Sequence, residues 1–199
     1  MLGGGTAGQN AANVALGMGA DVTILDTDLD KLRSTFWRYD NRVHQIVSSR
    51  LSIREQALAA DMVIGTVLIP GARAPTLVTN ELESQMKPGS VLVDVAIEQG
   101  GCFEDSPATT HADPTFAVHE SAFYCVANMP ATVPNPSAWA LTTATLACAV
   151  QLADKSWRQA LKENRPSALG LNTHAGQITY PAVADAFGMA HTRVDDLLD

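Results

Sequence analysis

The stretch that decides the fold is residues 1–26, MLGGGTAGQNAANVALGMGADVTILD. Gly3, Gly5 and Gly8 stand in a G-x-G-x-x-G spacing. A helical pattern follows over residues 6–18, where Ala7, Ala11, Val14, Ala15 and Met18 recur at steps of three and four. Gly19 ends that helix, and residues 21–26, DVTILD, form a short β-branched apolar run that reads as a buried strand. A glycine turn that opens a helix and leads to a buried strand is one βα unit of a parallel sheet. Only Met1 and Leu2 precede the glycines, so the strand that ordinarily enters such a turn is cut to two residues.

The same rhythm continues downstream. The pattern predicts helices over residues 29–39, 52–60 and 79–86, and strands over 42–47, 61–69 and 90–97. Strands alternating with helices give an α/β fold, a Rossmann-type doubly wound parallel sheet that binds ligands at the carboxyl ends of its strands. Beyond residue 100 the chain turns loop-like, with one or two short strands before residue 130. A long apolar helix is predicted over residues 137–163, because no Gly or Pro interrupts it. A turn at HAGQITY and a helix over residues 181–187 close the tail. The boundary between two parts falls between residues 129 and 137, giving a nucleotide domain at 1–130 and a second part at 131–199.

Composition bounds the function. The chain has 199 residues, 46% hydrophobic and 17% charged, with a net charge of −8, so it buries a core and lacks the basic face of a nucleic-acid binder. Cys102, Cys125 and Cys148 are far apart and without metal spacing, which predicts three buried free thiols and a reducing, cytoplasmic setting. No apolar run reaches the ~18 residues of a membrane span, and the N-terminus lacks the basic start of a signal peptide. The five histidines show no metal spacing: His44 reads as a sheet side chain, and His111, His119, His174 and His191 as surface.

The glycines have separable tasks in a dinucleotide site. Gly3 permits the turn, Gly5 leaves room for a pyrophosphate, and Gly8 lets the helix pack close to the sheet. The helix N-terminus from Thr6 and Ala7 aims N–H groups and its dipole at the phosphates. Asp26 ends the next strand 18 residues after Gly8, near the ~20 expected of the acid that accepts the adenosine ribose hydroxyls. A carboxylate there repels a 2′-phosphate, which favours NAD over NADP. S-adenosylmethionine enzymes share much of this geometry and stay open as an alternative. Val67 and Leu68 follow the strand at 61–69 and can flank the adenine. Glu98, in VAIEQGG, ends the strand at 90–97 and can face the nicotinamide and substrate. The VANMP stretch supplies an amide and a bend near the same cleft.

GGGTAGQNAANVALGMGADVTILD, ADMVIGTVLIPGARAPTLVT, MKPGSVLVDVAIEQGG and YCVANMPATVP resemble bacterial NAD-dependent L-alanine dehydrogenase over essentially the whole chain. The resemblance implies the reversible conversion of L-alanine, NAD and water to pyruvate, ammonium and NADH, usually by a homo-oligomer, a hexamer. It implies cofactor contacts from Thr6, Asp26, Lys31 and Ser48, from Val67 and Leu68, from Val95, Ala96, Ile97 and Glu98, and from Val126, Ala127, Asn128 and Met129. Lys31 and Ser48 rest on the resemblance alone.

Four positions depart from the family's pattern. Glu98 stands where the family carries a catalytic aspartate, a shift of roughly an ångström that can cost ~100-fold in rate. Pro107 replaces a frequent arginine, and Gln151 and Lys155 replace a Glu and a His that bind magnesium in some relatives, which predicts no metal. The family's substrate domain lies upstream of the glycine turn. The chain therefore reads as a truncated product, inactive alone, binding NAD weakly and prone to self-association. The alternatives are the NAD-binding subunit of proton-translocating transhydrogenase and a non-catalytic NAD-binding module.

Overall fold

A computed structural model describes residues 1–198. Two compact units divide the chain, one of Met1–Ile69 with Arg73–Met129, the other of Pro70–Ala72 with the chain from Pro130 onward. The first unit runs α1 (Thr6–Gly17), β1 (Thr23–Asp26), α2 (Leu29–Arg38), β2 (His44–Val47), α3 (Arg50–Ala59), β3 (Met62–Gly65), α4 (Asn80–Glu83), β4 (Val91–Asp94), β5 (Thr115–Val118) and β6 (Ser121–Tyr124). β1 pairs with β2, β3 with β4 and β4 with β6, all in parallel. β5 runs antiparallel to β6 through a tight turn at His119, whose φ is 52°. A parallel sheet whose β1–β2 and β3–β4 neighbours are joined through helices is the Rossmann-type doubly wound arrangement that the glycine turn and the strand–helix rhythm predict.

Met1 and Leu2 occupy the centre of this sheet. Leu2 bridges in parallel to Leu25 on one side and Gly65 on the other. Its N–H donates to Ile64 O at 2.8 Å, and its carbonyl accepts from Thr66 N at 2.8 Å. On the other flank Leu25 N donates to Met1 O at 2.9 Å and Gly3 N to Leu25 O at 2.8 Å. Two residues thus join the β1–β2 and β3–β4–β6–β5 blocks into one ladder. Leu2 is 3% exposed and packs with Leu25, Val63, Leu92 and Phe123 in the main core. A second core, Ala12, Val22, Ile24, Leu32, Tyr39 and Val43, seats α1 and α2.

Strands β3 and β4 are shorter than their apolar runs predict, and the cause is local. At Gly65 an added Cβ would lie 2.0 Å from Cys102 Sγ, so the chain beyond β3 is crossed by the loop that carries Cys102. β4 stops at Asp94 because the buried carboxylate folds the following chain back on itself. It accepts from Ala96 N at 3.0 Å, Cys102 N at 2.8 Å and Ser106 Oγ at 2.7 Å. The result is a 3-10 turn, Ile97–Gln99, in place of further strand.

The second unit contains α5 (Pro134–Asp154), α6 (Trp157–Glu163), α7 (Arg165–Leu169), a two-residue hairpin of β7 (Thr173–His174) and β8 (Gln177–Ile178), α8 (Pro181–Phe187) and α9 (Val194–Leu198). The single helix predicted over residues 137–163 is two helices. Ser156 takes an extended conformation and its hydroxyl accepts from Gln159 N, capping α6. The first helix also starts earlier than predicted, on Pro134, since a proline in the first turn costs no hydrogen bond. Cys102 and Cys125 are buried as predicted, but Cys148 is exposed on α5. No described helix is long and apolar enough to cross a membrane.

Candidate functional site

At the carboxyl ends of β1 and β3 a cavity of about 750 Å³ opens beside the glycine turn. It brings together Gly3, Gly5, Thr6 and Ala7 from the turn, Asp26 and Lys31 beyond β1, Ser48 beyond β2, and Val67 and Leu68 beyond β3. The glycines are fixed by contact. Gly3 has a φ of 106°, open to glycine at little cost. A Cβ on Gly8 would lie 2.0 Å from Gly3 O, so Gly8 backs the turn rather than lining the cavity. A Cβ on Gly5 would meet nothing within 4 Å, which leaves open space on the cavity side. Helix α1 starts at Thr6 with no capping side chain and no acidic residue in its first turn. Its first N–H groups, without intrahelical partners as at any helix start, are thus not taken by a capping side chain and present the positive end of the helix dipole.

Asp26 shapes the opposite wall. Oδ2 accepts from Gly4 N at 2.7 Å and Oδ1 from Asp28 N at 2.9 Å. Lys31 Nζ stands 3.8 Å from Oδ2 and 3.9 Å from Asp28 Oδ2. Each Asp26 oxygen keeps a lone pair for a further donor, which suits a ribose diol. Ser48 follows β2, and its N–H donates to Asp26 O at 2.9 Å, so the two strand ends are hydrogen-bonded to each other.

Val95, Ala96, Ile97, Glu98, Val126, Ala127, Asn128 and Met129 do not line this cavity; they gather at the ends of β4 and β6. Glu98 Oε1 accepts from Asn128 N at 2.7 Å, tying the two stretches together. Asn128 has a φ of 55°, the left-handed region that Asn tolerates. The side chains of Ala96, Ile97 and Val126 are buried in the protein, so only backbone there can meet a ligand. Glu98 itself is exposed.

Sequence reasoning missed Leu2, Leu25, Thr27, Thr66, Ile69, Pro75 and Leu77, which also line the cavity. Thr66 was findable, as the polar residue ending an apolar strand beside the glycine turn. Pro75 and Leu77 lie in an irregular loop and carry no periodic signal. Of the residues compared with metal ligands, Gln151 accepts from Asn164 Nδ2 at 2.9 Å, and Lys155 pairs with Glu163. His111 lies on Asn128 O, His174 stacks on Trp157, and exposed His44 faces Asp21 at 3.4 Å. Burial pushes the Cys102 and Cys125 thiols upward, with the Asp94 carboxylate adding to the effect, so neither is a ready nucleophile.

A glycine turn at the centre of a parallel sheet, an uncapped helix start and an acid at the next strand end define a dinucleotide-fold domain. Residues 1–181 match the alanine dehydrogenase/PNT C-terminal domain, and the chain belongs to that family. It is 50% identical over 198 residues to the alanine dehydrogenase of Halomonas elongata, covering 100% of this chain and 53% of that protein. A solved L-alanine dehydrogenase superposes with a TM-score of 0.81 at 41% identity, over 94% of this chain and 52% of that one. The transhydrogenase from Sinorhizobium meliloti superposes with a TM-score of 0.68 at 29% identity, over 91% of this chain and 48% of that one. The chain spans about half the length of the curated relatives it matches.

Proposed function

We propose that this chain is the NAD-holding half of an alanine dehydrogenase, which interconverts L-alanine with pyruvate and ammonium. One observation carries the reading: the glycine turn and Asp26 face each other across a single cavity of about 750 Å³, large enough for the adenosine diphosphate portion of a dinucleotide. Bound NAD supplies the hydride acceptor. The N–H groups at the start of α1 hold the pyrophosphate, and Asp26 accepts the ribose hydroxyls with Lys31 beside it. Ser48, Val67 and Leu68 complete the adenosine end.

Glu98, with Val95, Ala96, Ile97, Val126, Ala127, Asn128 and Met129, forms the nicotinamide end. There Glu98 faces the substrate as the candidate catalytic carboxylate. Residues 131–199 belong to the substrate-domain side of the whole enzyme, and the family's oligomer is a hexamer. Unpaired thiols fit a cytoplasmic address. The alanine dehydrogenase reading is favoured over transhydrogenase by 41% identity against 29% in the solved relatives.

NADH fluorescence titration tests the reading against its rivals. NADH binds, NADPH binds at least about tenfold more weakly because Asp26 repels its 2′-phosphate, and S-adenosylmethionine does not compete. Equal affinity for NADH and NADPH, or displacement by S-adenosylmethionine, would contradict it.

A further inference from the structure

The glycine turn is held in shape by a residue outside it. Thr66 follows β3 and is 8% exposed. Its hydroxyl lies 2.9 Å from Gly3 O and 3.0 Å from Leu2 O, and its backbone N–H donates to Leu2 O at 2.8 Å. A peptide unit points its C=O and N–H in opposite directions. The Gly3 carbonyl is taken by the Thr66 hydroxyl, and the N–H of the same peptide, on Gly4, is taken by Asp26 Oδ2 at 2.7 Å. The next peptide is fixed too, since Gly4 O accepts from Gln9 Nε2 at 2.8 Å. Gly8 leaves no slack behind the turn, because its Cβ would stand 2.7 Å from Thr66 Oγ1.

We infer that Thr66 is a positioning residue for the anion cradle: its hydroxyl sets the plane of the Gly3–Gly4 peptide, and so the direction in which the turn presents its N–H groups to a pyrophosphate. The inference rests on the NAD reading above and adds a residue that touches the turn rather than the phosphates. Leu2 O has a second donor in the backbone N–H of residue 66, so removing the hydroxyl strands only Gly3 O. Held then at its N–H end alone, by Asp26, the Gly3–Gly4 peptide can tilt, and the cradle must be reordered at each binding event.

The test measures binding of NADH, ADP and adenosine to the wild-type chain, Thr66→Val and Thr66→Ser. Adenosine reaches Asp26 but carries no phosphate. Thr66→Val is expected to weaken NADH and ADP about five- to tenfold while adenosine stays within about twofold, and Thr66→Ser is expected to restore both. Unchanged NADH affinity in Thr66→Val would overturn the inference. So would an equal loss of adenosine, which marks a general loss of structure, or failure of Thr66→Ser to restore binding. Absence of NADH binding by the wild-type chain would overturn the cofactor reading and this inference with it.

Discussion

Asp26 carries two burdens that a substitution separates. Its oxygens already hold Gly4 N and Asp28 N, and it is the acid placed for the ribose. Asp26→Asn keeps one acceptor oxygen for the backbone but loses charge, so NADH affinity should fall about tenfold while discrimination against NADPH shrinks; titration with both cofactors reads this. Gly8→Ala should abolish binding and cost about 1–3 kcal/mol of stability, because the new methyl would sit 2.0 Å from Gly3 O. Glu83 shows a different kind of residue effect. It is 1% exposed, and burial first, then the neighbouring Asp105 carboxyl, pushes it up to about 8 from 4.5. The folded state therefore holds a proton that the unfolded state releases, and stability from this group is complete below pH 4.5 and lost as pH rises toward 8. The difference between wild type and Glu83→Gln in the unfolding free energy from urea titration should widen across that window, by up to about 1.4 kcal/mol per pH unit. A difference independent of pH would contradict it. Asp26 and the three glycines were legible because their spacing is that of a strand–turn–helix–strand unit. Glu83 was not: its sequence neighbourhood, TNELES, reads as an ordinary exposed helix start.

Among the elements, the loop from β4 to residue 106 is closed by one side chain. Asp94 is 0% exposed and accepts from Ala96 N, Cys102 N, Phe103 N and Ser106 Oγ. Asp94→Ala takes the acceptor from the N–H groups of Ala96, Cys102 and Phe103, while Ser106 Oγ keeps Phe103 O, and should cost about 3 kcal/mol or more, measured by urea unfolding. The period and composition of the sequence located β1 to β4, since buried β-branched runs such as MVIG and VLVD have few other readings, but placed β6 only within a stretch of one or two short strands before residue 130. Strand ends were less legible. They depend on which loop crosses the strand, as Cys102 crosses Gly65, and no local pattern reports that. The break before α6 was legible in principle, because Ser156 and Gln159 have capping-box spacing, but the lack of Gly and Pro argued for continuity.

For the molecule as a whole, α5 is an apolar helix exposed along its length. None of its residues from Pro134 to Asp154 is buried, and Trp139, Leu141 and Leu146 are 71%, 66% and 56% exposed. An apolar helix left open in water favours association, so light scattering should give a mass above the 21.1 kDa of one chain, rising with concentration. A constant monomer mass would contradict this. The site is confined to the first unit, and so is its most direct test, calorimetric titration of NADH into the wild-type chain and Asp26→Ala. The account predicts saturable binding of one NADH per chain, blocked by ADP and lost or weakened more than about tenfold in Asp26→Ala. No heat from the folded wild-type chain, or the same isotherm for both proteins, would contradict it.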